Sequence, residues 1–150
     1  MHMNQKNYPL VSIGVLSYNR QDVLLQAIRS LLAQTYPHIE IIISDDASSD
    51  DSSAICQSYA NKYANITLYS QKHNLGIPGN SNFVLSKAKG TYFMWASNDD
   101  LWHKNYIANL VSLLESNPDA DLAMSNYYLL RVKKSSFPIY LLLHALPGYH

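Results

Sequence analysis

Two pairs of adjacent carboxylates stand out: Asp45-Asp46 closing "IEIIISDD", and Asp99-Asp100 inside "YFMWASNDDLWHK". Each pair ends an apolar run that reads as a buried strand. Neighbouring carboxylates repel each other and lose hydration when partly buried, so a cation or a ligand N–H would offset that cost. At Asp99 and Asp100 the chemistry suits Mg²⁺ or Mn²⁺, which bind through one or two carboxylates together with substrate phosphates. The plainer role for Asp100 is to cap a helix entering at 101–106, with Asp99 solvated. At Asp45 and Asp46 a carboxylate could accept the imino N–H of a base such as uracil, or Asp45 could cap the following turn. Tyr18 could stack on a base and Arg20 could face a phosphate. In a chain with 12 tyrosines, ordinary rim packing is the alternative for Tyr18.

The elements that must carry these groups alternate along the chain. "LVSIGVLSY" (10–18) reads as a buried strand that runs into Ser17-Tyr18-Asn19-Arg20. Leu24, Leu25, Ile28, Leu31 and Leu32 share one face of a 3.6-residue period, predicting a helix over 21–35, stopped by Tyr36-Pro37. A second strand covers 39–46. Ser48, Ser49 and Asp50 offer N-caps for a helix through about Lys62, with Ile55 and Tyr59 facing inward. A third strand covers 65–70. The turn-rich "NLGIPGNSN" (74–82) leads into a helix near 81–88, closed by Gly90 as a C-terminal cap. A fourth strand covers 91–97. An amphipathic helix over 106–116 carries Ile107, Leu110, Val111 and Leu114, and a fifth strand covers 121–126.

Continuous apolar strands alternating with helices predict an α/β fold, a mostly parallel sheet with helices on both faces. Ligands on such sheets bind beyond the carboxyl ends of the strands, and the acidic pairs and the Ser-Tyr-Asn-Arg group fall at those ends. The pattern predicts one domain over 1–126. Residues 127–150 mix basic and apolar residues without a clear period, as an irregular tail, a strand with a short helix, or a peripheral segment resting on a membrane surface.

Composition narrows the function. With 150 residues, 47% of them hydrophobic, the chain is globular and sized for one domain. A formal net charge of zero lacks the broad basic surface that nucleic-acid binding needs. The single Cys56 excludes an internal disulfide and reads as a small buried apolar group. "MHMNQKNYPL" has no apolar core of a signal peptide, and "IYLLLHAL" is too short to span a bilayer, which favours a cytoplasmic chain. There the Asn65-Ile66-Thr67 sequon is without consequence. His38, His73 and His103 lack ligand spacing and read as loop histidines, and Lys133-Lys134 reads as an exposed basic pair.

Four blocks, "VSIGVLSYNR", "QAIRSLLAQTYPHIEIIISDDASSDDS", "NLGIPGNSN" and "ASNDDLW", occur in an order and spacing that resemble the nucleotide-binding half of the family 2 glycosyltransferases. These are inverting enzymes with the GT-A, Rossmann-like fold, and the resemblance runs from about Val11 to Asn126. It implies a nucleotide-diphosphate sugar as donor, UDP-linked by expectation, and a glycan or lipid-linked acceptor in cell-envelope polysaccharide synthesis. It further implies that Tyr18 lies against the uracil ring, and that Asp46, with Asp45 beside it, contacts the base. Asn74 and Gly76 match the N-x-G loop near the nucleotide. Asp99 matches the second acid of D-x-D, which coordinates Mn²⁺ or Mg²⁺ on the diphosphate. Asp100 matches the acid near the donor sugar, and Trp102 a frequent aromatic of that block.

The sequence departs from the family in places. Ser97 stands at the first acid of D-x-D, leaving Asp99 the principal protein ligand. Ser81 replaces a common arginine, and Ala47 a common glycine, the latter a mild change. An inverting transferase needs a general base for the acceptor hydroxyl, and the family carries it in the second half of its fold. No acidic residue follows Asp121, so the fold reads as truncated, with the acceptor-binding half missing. A donor-binding remnant without turnover is the alternative function. A phosphoacceptor receiver domain fits less well, because it wants an acidic pair after the first strand. A nucleotidyltransferase would want a glycine-rich basic loop there.

Overall fold

The elements of this computed structural model, which describes residues 8–132 and 139–145, alternate as the sequence predicts. In chain order they are β1 (Val11–Ser17), α1 (Gln21–Leu32), β2 (Ile39–Asp45), α2 (Ser52–Lys62), β3 (Ile66–Ser70) and α3 (Gly76–Lys87). These are followed by β4 (Tyr92–Ala96), β5 (Leu101–Trp102), α4 (Tyr106–Ser116), β6 (Asn126–Val132) and β7 (Ile139–Ala145). They fall into two compact units. One holds β1, β2, β3 and β4 with α2 and α3; the other holds α1, α4, β5, β6 and β7.

The first unit is built on a parallel sheet in the order β3-β2-β1-β4. Ile13, Val15, Ile41 and Ile43 are fully buried in it, and burial of each such side chain contributes roughly 1.5–3 kcal/mol. Their β-branched side chains suit the pleat, and Val-Ile runs buried on both faces belong to parallel strands. Neighbouring residues of a strand point to opposite faces. Tyr69 meets Phe83 of α3 edge-on at 5.1 Å, while the Ser70 hydroxyl lies 3.3 Å from that of Ser53 in α2. The two helices therefore cover opposite faces, as expected of this α/β class. Register aligns Ser17 with Asp45 and Asp45 with Ser70, so three strand ends form one row.

In the second unit β5 pairs parallel with β7, and β7 antiparallel with β6. Ser30, Gln34 and Thr35, in and just after α1, hold the segment between β5 and α4. Gln34 donates to the His103 carbonyl at 2.9 Å and accepts the Ile107 N–H at 3.0 Å. The Thr35 N–H donates to the Lys104 carbonyl at 2.8 Å, and the Ser30 hydroxyl accepts the Trp102 N–H at 3.2 Å.

Several expectations need correction. Helix α3 begins at Gly76, not near 81, because Pro78 falls in its first turn, where the missing N–H would have no intrahelical partner. Gly90 is no left-handed cap: α3 ends at an extended Ala88. A Cβ at Gly90 would lie 2.6 Å from the Ser12 nitrogen and 2.7 Å from the Leu10 carbonyl oxygen, so glycine there permits close backbone approach. Helix α1 ends at Leu32 rather than 35. Ile55 and Tyr59 are only half-buried; Cys56 and Ser52 form the buried positions of α2, and the Asp50 carboxylate receives the Ser52 N–H at 2.9 Å. Asp100 leads into β5 instead of capping a helix, and Asn105 precedes α4. The fifth long strand starts at Asn126, where the 121–126 prediction stops. The stretch expected as an irregular tail carries most of β6 and all of β7. "YYLLRV" and "IYLLLHA" are leucine-rich and poor in β-branching, so sheet pairing, β6 with β7 and β7 with β5, makes them strands. Lys133-Lys134 and the first seven residues lie outside the described residues. Among the described residues no helix is long and apolar enough to cross a membrane.

Candidate functional site

In the first unit the predicted residues gather where β1, β2 and β3 end. Tyr18 follows β1 and is half exposed, at 49%. Asp45 ends β2 and is buried, at 2%. Its Oδ1 accepts the Ser48 hydroxyl at 2.5 Å and its Oδ2 the Ser48 N–H at 3.2 Å. The expected turn-capping role of Asp45 is thus present, and its carboxylate is engaged by protein groups. Asp46, also buried, donates its N–H to the Ser17 carbonyl at 2.8 Å and accepts the Leu75 N–H on Oδ1 at 2.7 Å. One carboxylate thereby ties the end of β2 to the loop that opens α3.

That loop holds Asn74 and Gly76. Asn74 is exposed, and its Oδ1 accepts the Gly76 N–H at 2.8 Å. Gly76 has a φ of 69°, a left-handed conformation open to glycine at little cost. Asn19 (φ 51°) and Ala47 (φ 60°) occupy the same region without that freedom. Ala47 is therefore less mild a change than the sequence suggests, since glycine would hold this geometry without strain. The sequence places Asn19 in the rim group and Ser48 and Ser49 as helix caps, but does not anticipate that they bond to one another. The Asn19 N–H donates to the Ser48 hydroxyl oxygen at 3.0 Å, and Asn19 Oδ1 accepts the Ser49 N–H at 2.8 Å. The clasp joins turns 29 and 30 residues apart in sequence, so no local periodicity signals it.

The second unit holds Asp99, Asp100 and Trp102. Both acids are half-buried, and the Ser97 hydroxyl donates to Asp99 Oδ1. Ser97, in the place of a first acid, thus acts as a neutral partner of Asp99. Trp102 is buried and meets Tyr106 edge-on at 5.0 Å. Burial raises the Tyr106 hydroxyl pKa, a rise opposed by a hydrogen bond with Ser125. Arg20 is exposed at the head of α1, where its carbonyl accepts the Leu24 N–H at 3.0 Å. Among the described residues no three His, Cys, Asp or Glu side chains come together as a metal cage. This donor set fits a hard cation brought in on a diphosphate, which needs only one or two protein carboxylates, better than a resident metal. His38 lies 2.6 Å from the Tyr8 carbonyl oxygen and His103 Nδ1 accepts the Asn105 N–H, so both serve loop geometry.

Residues 12–138 match the family model described as glycosyl transferase family 2. An uncharacterized glycosyltransferase of Rickettsia typhi is 38% identical over 134 residues, which is 89% of this chain and 41% of that protein. An Escherichia coli UDP-Glc:alpha-D-GlcNAc-diphosphoundecaprenol beta-1,3-glucosyltransferase is 37% identical, over 80% of this chain and 47% of its own. This chain thus spans less than half the length of these relatives. S. aureus TarS 1-349 in complex with UDP-GlcNAc superposes with a TM-score of 0.68 at 25% identity, covering 73% of this chain and 32% of that one. A Pyrobaculum calidifontis mannosyltransferase in complex with GDP-Man and Mn²⁺ gives a TM-score of 0.68 at 24% identity, over 80% and 35% of the two chains. The fold is that of the GT-A glycosyltransferases.

Proposed function

This chain belongs to glycosyl transferase family 2, and on that premise we propose that it is the donor-binding part of an inverting transferase that takes a UDP-sugar. The observation that carries this reading is the convergence of Tyr18, Asp46 and the Asn74–Gly76 loop at the carboxyl ends of one parallel sheet. Tyr18 supplies an exposed ring for the base, and Asp46 a carboxylate acceptor for the imino N–H. A uracil donor is favoured by two relatives, one named for UDP-Glc and one solved with UDP-GlcNAc.

Asp99 is the residue that would hold Mn²⁺ or Mg²⁺ on the donor diphosphate, with Asp100 toward the sugar. Such a cation offsets the charge that builds on a leaving diphosphate. The Ser97 hydroxyl orients Asp99 while adding no second charge. A lipid-linked glycan acceptor in envelope polysaccharide synthesis is the reading that the E. coli relative supports. The general base belongs, on this reading, to the second half of the family's fold.

Calorimetric titration of the chain with UDP, with and without Mn²⁺, tests the donor site beside Asp99→Ala. Binding that strengthens with Mn²⁺ in the wild type and loses that gain in the variant supports both assignments. Absence of UDP binding under both conditions would overturn the donor reading.

A further inference from the structure

We propose that Asp45 is a positioning residue: acting through Ser48, it fixes the Tyr18–Asn19 turn so that the Tyr18 ring stands ready for the nucleobase. The inference rests on the donor-site reading above and concerns how that site is held.

Asp45 is turned inward. At 2% exposure, with its oxygens on the hydroxyl and N–H of Ser48, it presents little to a ligand. The Ser48 hydroxyl has one proton, which goes to Asp45, leaving its oxygen to accept the Asn19 N–H. Asn19 answers from its own side chain, accepting the N–H of Ser49 at 2.8 Å and its hydroxyl at 3.3 Å. Asparagine is among the few non-glycine residues that enter the left-handed region readily, and these bonds select that one turn geometry. The next residue back is Tyr18, whose ring stays half exposed. A left-handed turn clasped from a buried carboxylate, beside an uncovered aromatic, is the arrangement expected of a pre-set stacking platform.

The test is a double-mutant cycle read as UDP affinity by calorimetry, with thermal unfolding of each variant alongside. Tyr18→Ala and Ser48→Ala are each expected to weaken UDP binding roughly tenfold. The double variant is expected to bind no worse than Tyr18→Ala, because Ser48 acts only through that ring. Ser48→Thr, which keeps the hydroxyl, is expected to bind as the wild type does. Independent, multiplicative losses in the cycle would overturn the proposal, as would wild-type affinity in Ser48→Ala. If Ser48→Ala fails to fold, Asp45→Asn decides. It puts an amide NH2 where a carboxylate oxygen accepts from Ser48, so weakened UDP binding by the folded variant supports the proposal and unchanged binding refutes it. Failure of the wild type to bind UDP would instead strike the donor-site reading.

Discussion

Oδ1 of Asp46 accepts the backbone N–H of Leu75 at 2.7 Å, so the acid that ends β2 also anchors the entrance to α3. The residue assigned to the base thus carries a structural bond as well, and the two roles respond differently to substitution. Asp46→Asn keeps an oxygen for Leu75 but loses the charged acceptor for a base N–H. It is expected to unfold near the wild-type temperature while binding UDP at least tenfold more weakly. Asp46→Ala leaves the half-buried Leu75 N–H without this partner and is expected to lose about 1 kcal/mol of stability besides. Urea unfolding and UDP calorimetry on the two variants separate the effects.

Ala47 gives a prediction of opposite sign. Its φ of 60° is a conformation that glycine adopts freely, and relief of that strain outweighs the chain entropy that glycine adds. Ala47→Gly is expected to stabilise the chain by about 0.5–1 kcal/mol, read as a higher urea midpoint at unchanged slope.

Gln34 holds the segment that follows the second acidic pair, donating to the His103 carbonyl and accepting the Ile107 N–H. Gln34→Leu removes both partners and is expected to destabilise by about 2–4 kcal/mol. Because the held segment begins three residues after Asp100, the Mn²⁺-dependent gain in UDP binding should shrink. Metal-free UDP affinity should stay near wild type. Equal losses with and without the metal would show that Gln34 serves only the fold.

Cys56 ties stability to alkaline pH. Burial, reinforced by the negative charge of Asp45, pushes its thiol up to about 12 from an ordinary 9.0. Below the unfolded value both states are protonated and nothing is lost. Above it the unfolded chain releases the proton while the folded chain keeps it, so stability falls between pH 9 and about 12. The slope contributed by Cys56 approaches about 1.4 kcal/mol per pH unit. Urea unfolding of wild type and Cys56→Ala from pH 8 to 10.5 reads that slope as the difference between the two. Parallel pH profiles would show that Cys56 is not its source.

Much of this protein was legible before any coordinates. Runs of Val and Ile, periodic leucines in α1 and acids at the ends of apolar runs are local signals, and they locate β1 through β4 and the acidic pairs. The blocks around Tyr18, Asp46, Asn74 and Asp99 also carry the family, because their chemistry is written in contiguous residues. Tertiary structure alone decided the rest. The leucine-rich β6 and β7 become strands by pairing with each other, and β7 also with β5. Gly90 is needed for the approach of Ser12 and Leu10, far away in sequence, rather than for the end of its own helix. Asp45 and Asp46 look equivalent in the string "SDD", yet alternation of side chains about the last strand residue turns one toward Ser48 and the other toward Leu75. A carboxylate's role depends on which donors surround it in space, and those donors come from turns that sequence proximity does not join.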